Sequence, residues 1–348
     1  MRYAKKRPLP RYPPFGLLVT AQPPMNLRQL RYLTELARHR LNVTATAASL
    51  YTSQPGISKQ IRLLEQELGV EIFERSGKHL SRITPAGEAI IKMANRALIE
   101  IDGIREAARD VSDPGAGSLS IATTHTQARY ALPRVVQTFI RRYPRVVLQM
   151  HQGNPGQIVA MAADGTVDLA ILTEPLAHAD ELVMMPCYRW NRAIVTPCDH
   201  PLRDENPLTL EAVAEYPLLT YVFGFTGRSQ LDVAFRRRGL IPNVVFTATD
   251  ADVVKTYVRV GLGVGIIAKM AYDARMDADL CALGASHLFE PSVTKIGFRR
   301  GLVLRRYLFD FIELFAPHLT YEVVEKVLEI RTRGGVETLF TDSQLPDY

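Results

Sequence analysis

Apolar residues recur at helical spacing in three successive stretches between Leu27 and Gly69. The first carries Leu27, Leu30, Leu33 and Leu36 near one face. The second starts near Asn42, a good N-cap, and holds small Ala47 and Ala48, over which another helix can pack closely. After the short turn Leu50-Tyr51-Thr52, the third starts at Ser53 with Pro55 in its first turn. Its apolar positions Ile57, Ile61, Leu64 and Leu68 step by 4, 3 and 4, a single buried stripe, and Gly69 ends it. A fourth, longer helix is expected from the N-cap Thr84 and Pro85 to about Val111. Along it Ile90, Ala94, Ala97, Ile101, Ile104 and Ala108 step by 4, 3, 4, 3 and 4. That heptad seam, on a helix of about 40 Å, predicts a dimerisation helix. Asp113-Pro114-Gly115-Ala116-Gly117 then breaks the pattern.

Beyond this linker, short β-branched runs alternate with helical stretches. Strands are expected at Ser118–Thr123, Val146–His151, Leu169–Thr173, Arg192–Thr196, Leu218–Tyr221 and Val244–Ala248. Helices are expected at Tyr130–Arg142, Gly156–Ala163, Gly227–Arg238, Asp250–Val260 and Leu304–Phe315. The alternation predicts an α/β domain with mostly parallel sheet, in two lobes.

Charge changes the reading of the first three helices. The chain carries +6 overall, but residues 1–112 hold 18 Lys and Arg against 10 Asp and Glu, and the rest 24 against 26. An anionic partner is therefore expected for the basic third alone. A polar helix face is ordinarily just solvated surface. Here the tight turn, the basic excess and the hairpin-like Glu74–Arg82 point instead to a winged helix-turn-helix on double-stranded DNA. Ser53 and Pro55 start the reading helix. Gln54, Ser58 and Lys59 suit base edges, Arg62 suits phosphate, and Lys78 and Arg82 suit backbone or minor groove.

Other features exclude function classes. The longest wholly apolar run, Val260–Ala268, is far below the ~20 residues of a membrane span. Three cysteines in 348 residues rule out a disulfide scaffold and suit a reducing cytoplasm. Cys187, Cys198 and His200 have weak metal-ligand spacing, and ordinary burial is the expectation. Gly261-Leu262-Gly263-Val264-Gly265 lacks dinucleotide spacing and reads as a tight connection into a buried strand. No nucleophile–base pair and no Gly-x-Ser-x-Gly arrangement is visible, so no enzyme is expected. Residues 1–24 hold five basic residues, no acid and six prolines, and read as a disordered extension, with Met25 as the working start.

Chemistry gathers again in the α/β region. Ile121–Tyr130 places hydroxyls and free backbone N–H groups where a strand ends and a helix begins, a natural anion site. Ile171–Glu174 and the glycine-rich Phe223–Ser229 are comparable strand ends. Singly, such threonines are usually only caps. In a two-lobed α/β domain, ligands bind where the carboxyl ends of strands converge, which would bring Thr124, Thr126, Gln127, Thr173 and Thr226 onto one small polar ligand.

Leu50–Glu65, Leu68–Arg75 and Thr84–Gly87 resemble the winged helix-turn-helix of LysR-type transcriptional regulators. Thr123–Pro133, Met150–Gly153, Pro186–Tyr188, Trp190–Val195, Phe223–Ser229, Phe246–Val253 and Thr294–Arg300 resemble the CysB subgroup of that family. The resemblance runs from Met25 to about Thr320. It implies a bacterial, cytoplasmic regulator, mainly an activator, of sulfur assimilation and cysteine biosynthesis genes. Its C-terminal domain would resemble periplasmic solute-binding proteins. It implies no cofactor and no metal, but a small-molecule inducer: O-acetylserine or N-acetylserine, with sulfate or thiosulfate as further occupants. In that family the positions matched by Thr124, Thr126, Gln127, Thr173 and Thr226 line the pocket. Implied partners are promoter DNA, RNA polymerase and further copies of the chain, as dimer or tetramer. A dimer presents two readers, so an interrupted palindrome is expected.

The resulting layout is an extension (1–24), a winged helix-turn-helix (25–83), a linker helix (84–112), an inducer domain (117–320) and a tail (321–348). Lobe I is expected at about 117–187 plus 292–320, and lobe II at about 188–291. The extension and the tail depart from the family pattern and inherit no role. Two alternatives stay open. One is a close relative controlling sulfonate or alternative sulfur-source genes. The other is a solute-binding or enzymatic α/β protein whose N-terminal helices only dimerise it.

Overall fold

The computed structural model describes residues 24–348 apart from 78, 113–114, 174–181, 226, 331 and 342, and apart from the side chains at 106–107 and 109–112. The chain forms two units, one reaching to Leu98 and the other starting at Ile99.

In the first unit, α1 (Leu27–Arg38), α2 (Val43–Ser49) and α3 (Gln54–Leu68) each start at a side chain that accepts a backbone N–H: Asn26, Asn42 and Ser53. Asn26 and Gln29 complete a reciprocal capping box. Gly69, at φ 69°, ends α3 in the left-handed conformation that its missing Cβ allows. Leu30, Leu33, Leu36, Ala47, Ile57, Ile61 and Leu64 fill the space between the helices. The antiparallel pair β1 (Phe73–Ser76) and β2 (His79–Ile83) forms the wing. The buried Glu65 carboxylate anchors it, accepting the N–H groups of Ile72 and Phe73 at 2.9 and 3.2 Å and pairing with Arg75.

Helix α4 (Pro85–Ser112) matches the expected linker helix, but its seam is only partly available. Ile90, Ile91, Ala94, Ala97 and Leu98 pack on the core of the first unit, whereas Met93 and Ile104 are exposed. The three helices leave one apolar side uncovered, and the first half of α4 closes it. In that half the regular spacing serves a contact within the unit, with Ala94 buried and Ile90 and Ala97 partly buried.

The second unit contains β3 (Ala116–Thr123), α5 (Leu132–Arg142), β4 (Arg145–Gln152), α6 (Pro155–Ala163), β5 (Leu169–Leu172), β6 (Leu182–Trp190) and β7 (Arg192–Pro197). There follow α7 (Leu210–Ala214), β8 (Leu218–Tyr221), α8 (Arg228–Arg237), β9 (Val244–Ala248), α9 (Ala251–Arg259), β10 (Val264–Ala268), β11 (Leu280–Gly284) and β12 (Ser292–Arg299). The strands form two five-stranded sheets, ordered β4-β3-β5-β12-β6 and β11-β7-β10-β8-β9. The expectation of mostly parallel sheet is corrected. β3 runs parallel to β4 and β5, and β8 to β9 and β10. β12, however, is antiparallel to β5 and β6, and β7 to β10 and β11. These antiparallel partners, β6, β7, β11 and β12, flank the two places where the chain passes between sheets, so none of them is joined to a sheet neighbour by the helical crossover that parallel strands use. Asn191, the single residue between β6 and β7, donates to the carbonyls of Ser286 and Phe289 at 3.1 and 3.0 Å, tying the outward passage to the returning one.

The chain ends in α10 (Arg306–Phe315), α11 (Tyr321–Glu329) and α12 (Arg333–Leu339). The segment set apart above as a tail contributes to the core: Val324, Val327 and Val336 sit in the same cluster as Phe139, Phe311 and Trp190. The last residues pair along β6, Arg189 N–H donating to Pro346 O at 2.9 Å and Tyr348 N–H to Arg189 O at 2.8 Å.

The cysteine reading is corrected too. Cys198 and Cys281 form a disulfide, and only Cys187 is a buried free thiol among the described residues. The partners are 83 residues apart in sequence, yet β7 and β11 are neighbours, so their Cα atoms lie 5.0 Å apart. Linear spacing does not report such cross-strand proximity. Among the described residues no helix is long and apolar enough to cross a membrane.

Candidate functional site

Two sites were expected. On the first unit, Ser53, Gln54, Pro55, Ser58, Lys59 and Arg62 are all exposed at the start or along the outer face of α3. Their roles differ. The Ser53 hydroxyl is engaged as the cap, accepting Gly56 N–H at 3.3 Å. Gln54 Nε2 donates to Thr44 Oγ1 at 2.7 Å, bracing α3 against α2. Gln54, Ser58 and Arg62 succeed one another at i, i+4 and i+8, so with Lys59 they make one continuous polar ridge, and a helix of this kind fits the major groove. On the wing, Arg82 is paired with Glu74 at 2.6 Å across the hairpin. Hydrogen bonding within that pair lowers the Glu74 carboxyl and raises the Arg82 guanidinium. Lys78 lies outside the described residues. Tyr51, in the turn before α3, is fully exposed and held at φ 50°.

The second site lies where the two sheets face each other. β3 ends at Thr123, and a π-helical segment, Gln127–Ala131, leads into α5. Such segments are rare and frequent at functional sites. Thr124, Thr126 and Gln127 are buried here. Gln127 Nε2 donates to Thr294 Oγ1 at 3.1 Å, and the Thr173 hydroxyl lies 3.3 Å from the same atom. Tyr188 donates its hydroxyl to Gln127 Oε1. Gln127 and Thr173 are thus brought together through Thr294 on β12, while Thr126 stands apart. Its hydroxyl is buried and makes no hydrogen bond of good geometry among the described residues, its one polar contact being with a phenol. The Tyr221 phenol from the other sheet lies beside it. Tyr221 Oη accepts Ala268 N–H at 3.1 Å, and burial pushes its pKa up to about 12, so it is a neutral donor.

Thr226 lies outside the described residues. The glycine after it, Gly227, has φ 71°, and a Cβ there would collide with the Arg192 guanidinium. Arg192 is buried, donating to Gly227 O at 2.6 Å and Ser292 Oγ at 3.1 Å, so its charge braces the loop from behind.

Ion pairs clasp the sheets at the edge of the cleft. His125 Nε2 lies 2.8 Å from Asp250, Arg129 pairs with Asp252, and Tyr130 donates to Asp252 at 2.8 Å. His125, Asp250 and Asp252 place ligand-type atoms within 4.8 Å of one another. Arg129 and Lys255 already pair with Asp252, which makes the group a salt-bridge network and a poor fit to a metal ion. The inner cleft thus offers neutral hydroxyl and amide groups, suited to a small anion or zwitterion held by hydrogen bonds.

Tyr188, Tyr221 and Thr294 were not singled out from sequence. No strand pattern marks the run that holds Thr294, so the sequence offered no signal for it.

Comparison with known proteins agrees with both halves. Residues 27–88 match the family described as bacterial regulatory helix-turn-helix protein, lysR family. Residues 112–320 match the LysR substrate binding domain. The chain is 54% identical over 321 residues to the HTH-type transcriptional regulator CysB of Haemophilus influenzae, covering 92% of this chain and 99% of that one. It is 50% identical over 295 residues to the regulator SsuR of Burkholderia cenocepacia, covering 85% and 96%. The crystal structure of the cofactor-binding domain of the Cbl transcriptional regulator superposes with a TM-score of 0.60 at 42% identity, over 62% of this chain and 95% of that one.

Proposed function

As the chain belongs to the LysR family of transcriptional regulators, we propose that it controls, mainly as an activator, genes of sulfur assimilation and cysteine biosynthesis. In this reading residues 25–83 bind promoter DNA, 84–112 pair protomers and 117–320 sense an effector. Gln54, Ser58 and Lys59 meet base edges, and Arg62 meets phosphate. Lys78 and Arg82 add backbone contacts, Arg82 after release from Glu74. The exposed part of the α4 seam, from Ile101 onward, takes part in a dimer or tetramer that reads an interrupted palindrome. RNA polymerase is the further partner, and the cytoplasm the compartment.

The effector is O-acetylserine or N-acetylserine, with sulfate or thiosulfate as alternative occupants. Thr124, Thr126, Gln127, Thr173 and Thr226 hold it. The observation that carries this reading is the buried Thr126 hydroxyl, which makes no hydrogen bond of good geometry and has only the Tyr221 phenol beside it. A buried polar group that is poorly hydrogen-bonded is destabilising, and an anionic oxygen accepting from both hydroxyls offsets that penalty. Because Thr126 and Tyr221 belong to different sheets, such a ligand favours one closure of the lobes over another. That differential affinity is the only means by which it can alter the DNA-bound state.

The test is calorimetric titration of the full chain with O-acetylserine, N-acetylserine, sulfate and thiosulfate, beside a DNA mobility shift at two salt concentrations. Binding of none of the four, or no salt-dependent DNA binding, refutes the reading. A second reading, control of sulfonate or other alternative sulfur-source genes, is favoured by the similarity to SsuR and Cbl. The set of promoters bound separates the two.

A further inference from the structure

We infer that the last three residues, Pro346–Tyr348, form a strap that positions the wall of the effector cleft, with Tyr348 as its positioning residue. This deepens the effector reading above and rests on it for ligand binding, though not for the strap itself.

The three residues are exposed and add almost nothing to the core. They are nevertheless held at defined points. Their backbone brackets Arg189, accepting from its N–H and donating to its carbonyl. The Arg189–Asp347 pair, at 3.2 Å, is largely exposed and contributes little. Tyr348 makes the specific contacts. Its ring packs on Tyr188 with centroids 4.9 Å apart, and Phe315 packs on Tyr188 at 5.7 Å. Its hydroxyl donates to the Tyr130 carbonyl at 2.8 Å.

Both contacts lead to the same place. Tyr188 donates to Gln127 Oε1, and Gln127 and Tyr130 belong to one π-helical segment, Gln127–Ala131. Tyr348 therefore grips that segment directly at Tyr130 and indirectly, through Tyr188, at Gln127. The second grip has a chemical consequence. With Oε1 occupied by Tyr188 and one Nε2 proton given to Thr294, the remaining Nε2 proton has a fixed direction. If the Tyr188 ring loses the face that Tyr348 covers, the amide loses its reference. The first grip restrains the carbonyl of Tyr130, whose own hydroxyl bridges to Asp252 on the opposite lobe. The strap thus touches both a wall of the cleft and one of its inter-lobe clasps. It lies outside residues 112–320, which match the substrate-binding family.

The experiment compares the full chain with Tyr348→Ala, Tyr348→Phe and a deletion of residues 346–348. Hydrogen exchange without ligand should speed up by about tenfold at 127–131 in Tyr348→Ala and in the deletion, and stay unchanged in the core helix α10. Affinity for sulfate and for N-acetylserine should fall by about tenfold in both, and by less in Tyr348→Phe, which keeps the ring and loses only the hydroxyl. Affinity for promoter DNA without ligand should be unchanged. Unchanged exchange at 127–131 overturns the strap, and so does uniformly faster exchange including α10, which would mark a merely structural residue. If the unaltered chain binds neither probe, the effector reading fails by itself, and the exchange result alone decides the strap.

Discussion

Gln127 and Thr294, 167 residues apart in the chain, meet through a 3.1 Å hydrogen bond from Nε2 to Oγ1, with Thr173 3.3 Å from the same hydroxyl. This junction joins the end of β3, the end of β5 and the antiparallel strand β12. Replacing Thr294 by Val keeps the volume but removes the acceptor. Thermal unfolding should show a loss of about 1–3 kcal/mol, since the Gln127 amide is left buried with one proton unbonded. Titration should show weaker binding of every effector that the unaltered chain binds. Full stability together with full affinity would remove the junction from the site.

Thr126 predicts a different outcome for stability. Its hydroxyl makes no hydrogen bond of good geometry and touches only the Tyr221 phenol, so Thr126→Val should change the stability of the ligand-free protein by less than about 1 kcal/mol in either direction. Effector affinity should drop by about tenfold or more. Thr126→Leu should abolish the inducer response in a reporter assay while DNA binding persists. Unchanged effector affinity in either variant places Thr126 outside the site.

On the DNA face, Lys59→Ala and Ser58→Ala should weaken specific promoter binding by about 1–3 kcal/mol and non-specific binding by less. Arg62→Ala should weaken both alike and reduce the slope of log affinity against log salt by about 1. Mobility shifts on promoter and scrambled duplexes at several salt concentrations read both effects. Equal losses on the two duplexes for Lys59→Ala contradict the base-reading role.

A buried charge network makes stability depend on pH. Burial acts to raise the Asp277 carboxyl, but hydrogen bonds from Lys255, the Asp273 N–H and Arg259 outweigh it and hold the group below its ordinary value. Lys255 Nζ lies 2.8 Å from Asp277, and both are buried. A carboxyl lowered in the folded state stabilises fully above its unfolded value, near 4, and that contribution is lost as pH falls through the folded value. Lys255→Met should therefore cost about 3–5 kcal/mol at pH 7 and move acid unfolding to higher pH. The difference from the unaltered chain should shrink once Asp277 is protonated in both. A pH-independent difference, measured by denaturant melts from pH 3 to 7, contradicts this assignment.

Much of the architecture was legible because its signals are local. Asn42, Ser53 and Gly69 mark helix ends through hydrogen bonds within a few residues, and the 4, 3, 4 stepping in α3 needs only the helix period. The strand ends carrying Thr124 and Thr173 were visible for the same reason. What escaped depends on partners far along the chain. Whether Ile90 and Ala94 face a second protomer or their own α1–α3 core is undetermined by their spacing. Cys198 and Cys281 become neighbours only once β7 and β11 pair. Tyr188 and Thr294 enter the cleft through the antiparallel pairing of β6 with β12, and β12 mixes Thr, Lys, Gly and Arg in a run that no strand pattern marks. Tyr348 joins them from the chain terminus, where no motif directs attention.

The bond pair from Asn191 to the Ser286 and Phe289 carbonyls has a mechanical consequence. Two independent connections would let the halves of the sensor slide, twist and gape separately. Stitched at that point, the two connections act as one seam, so a relative displacement of the halves has to strain the same two bonds.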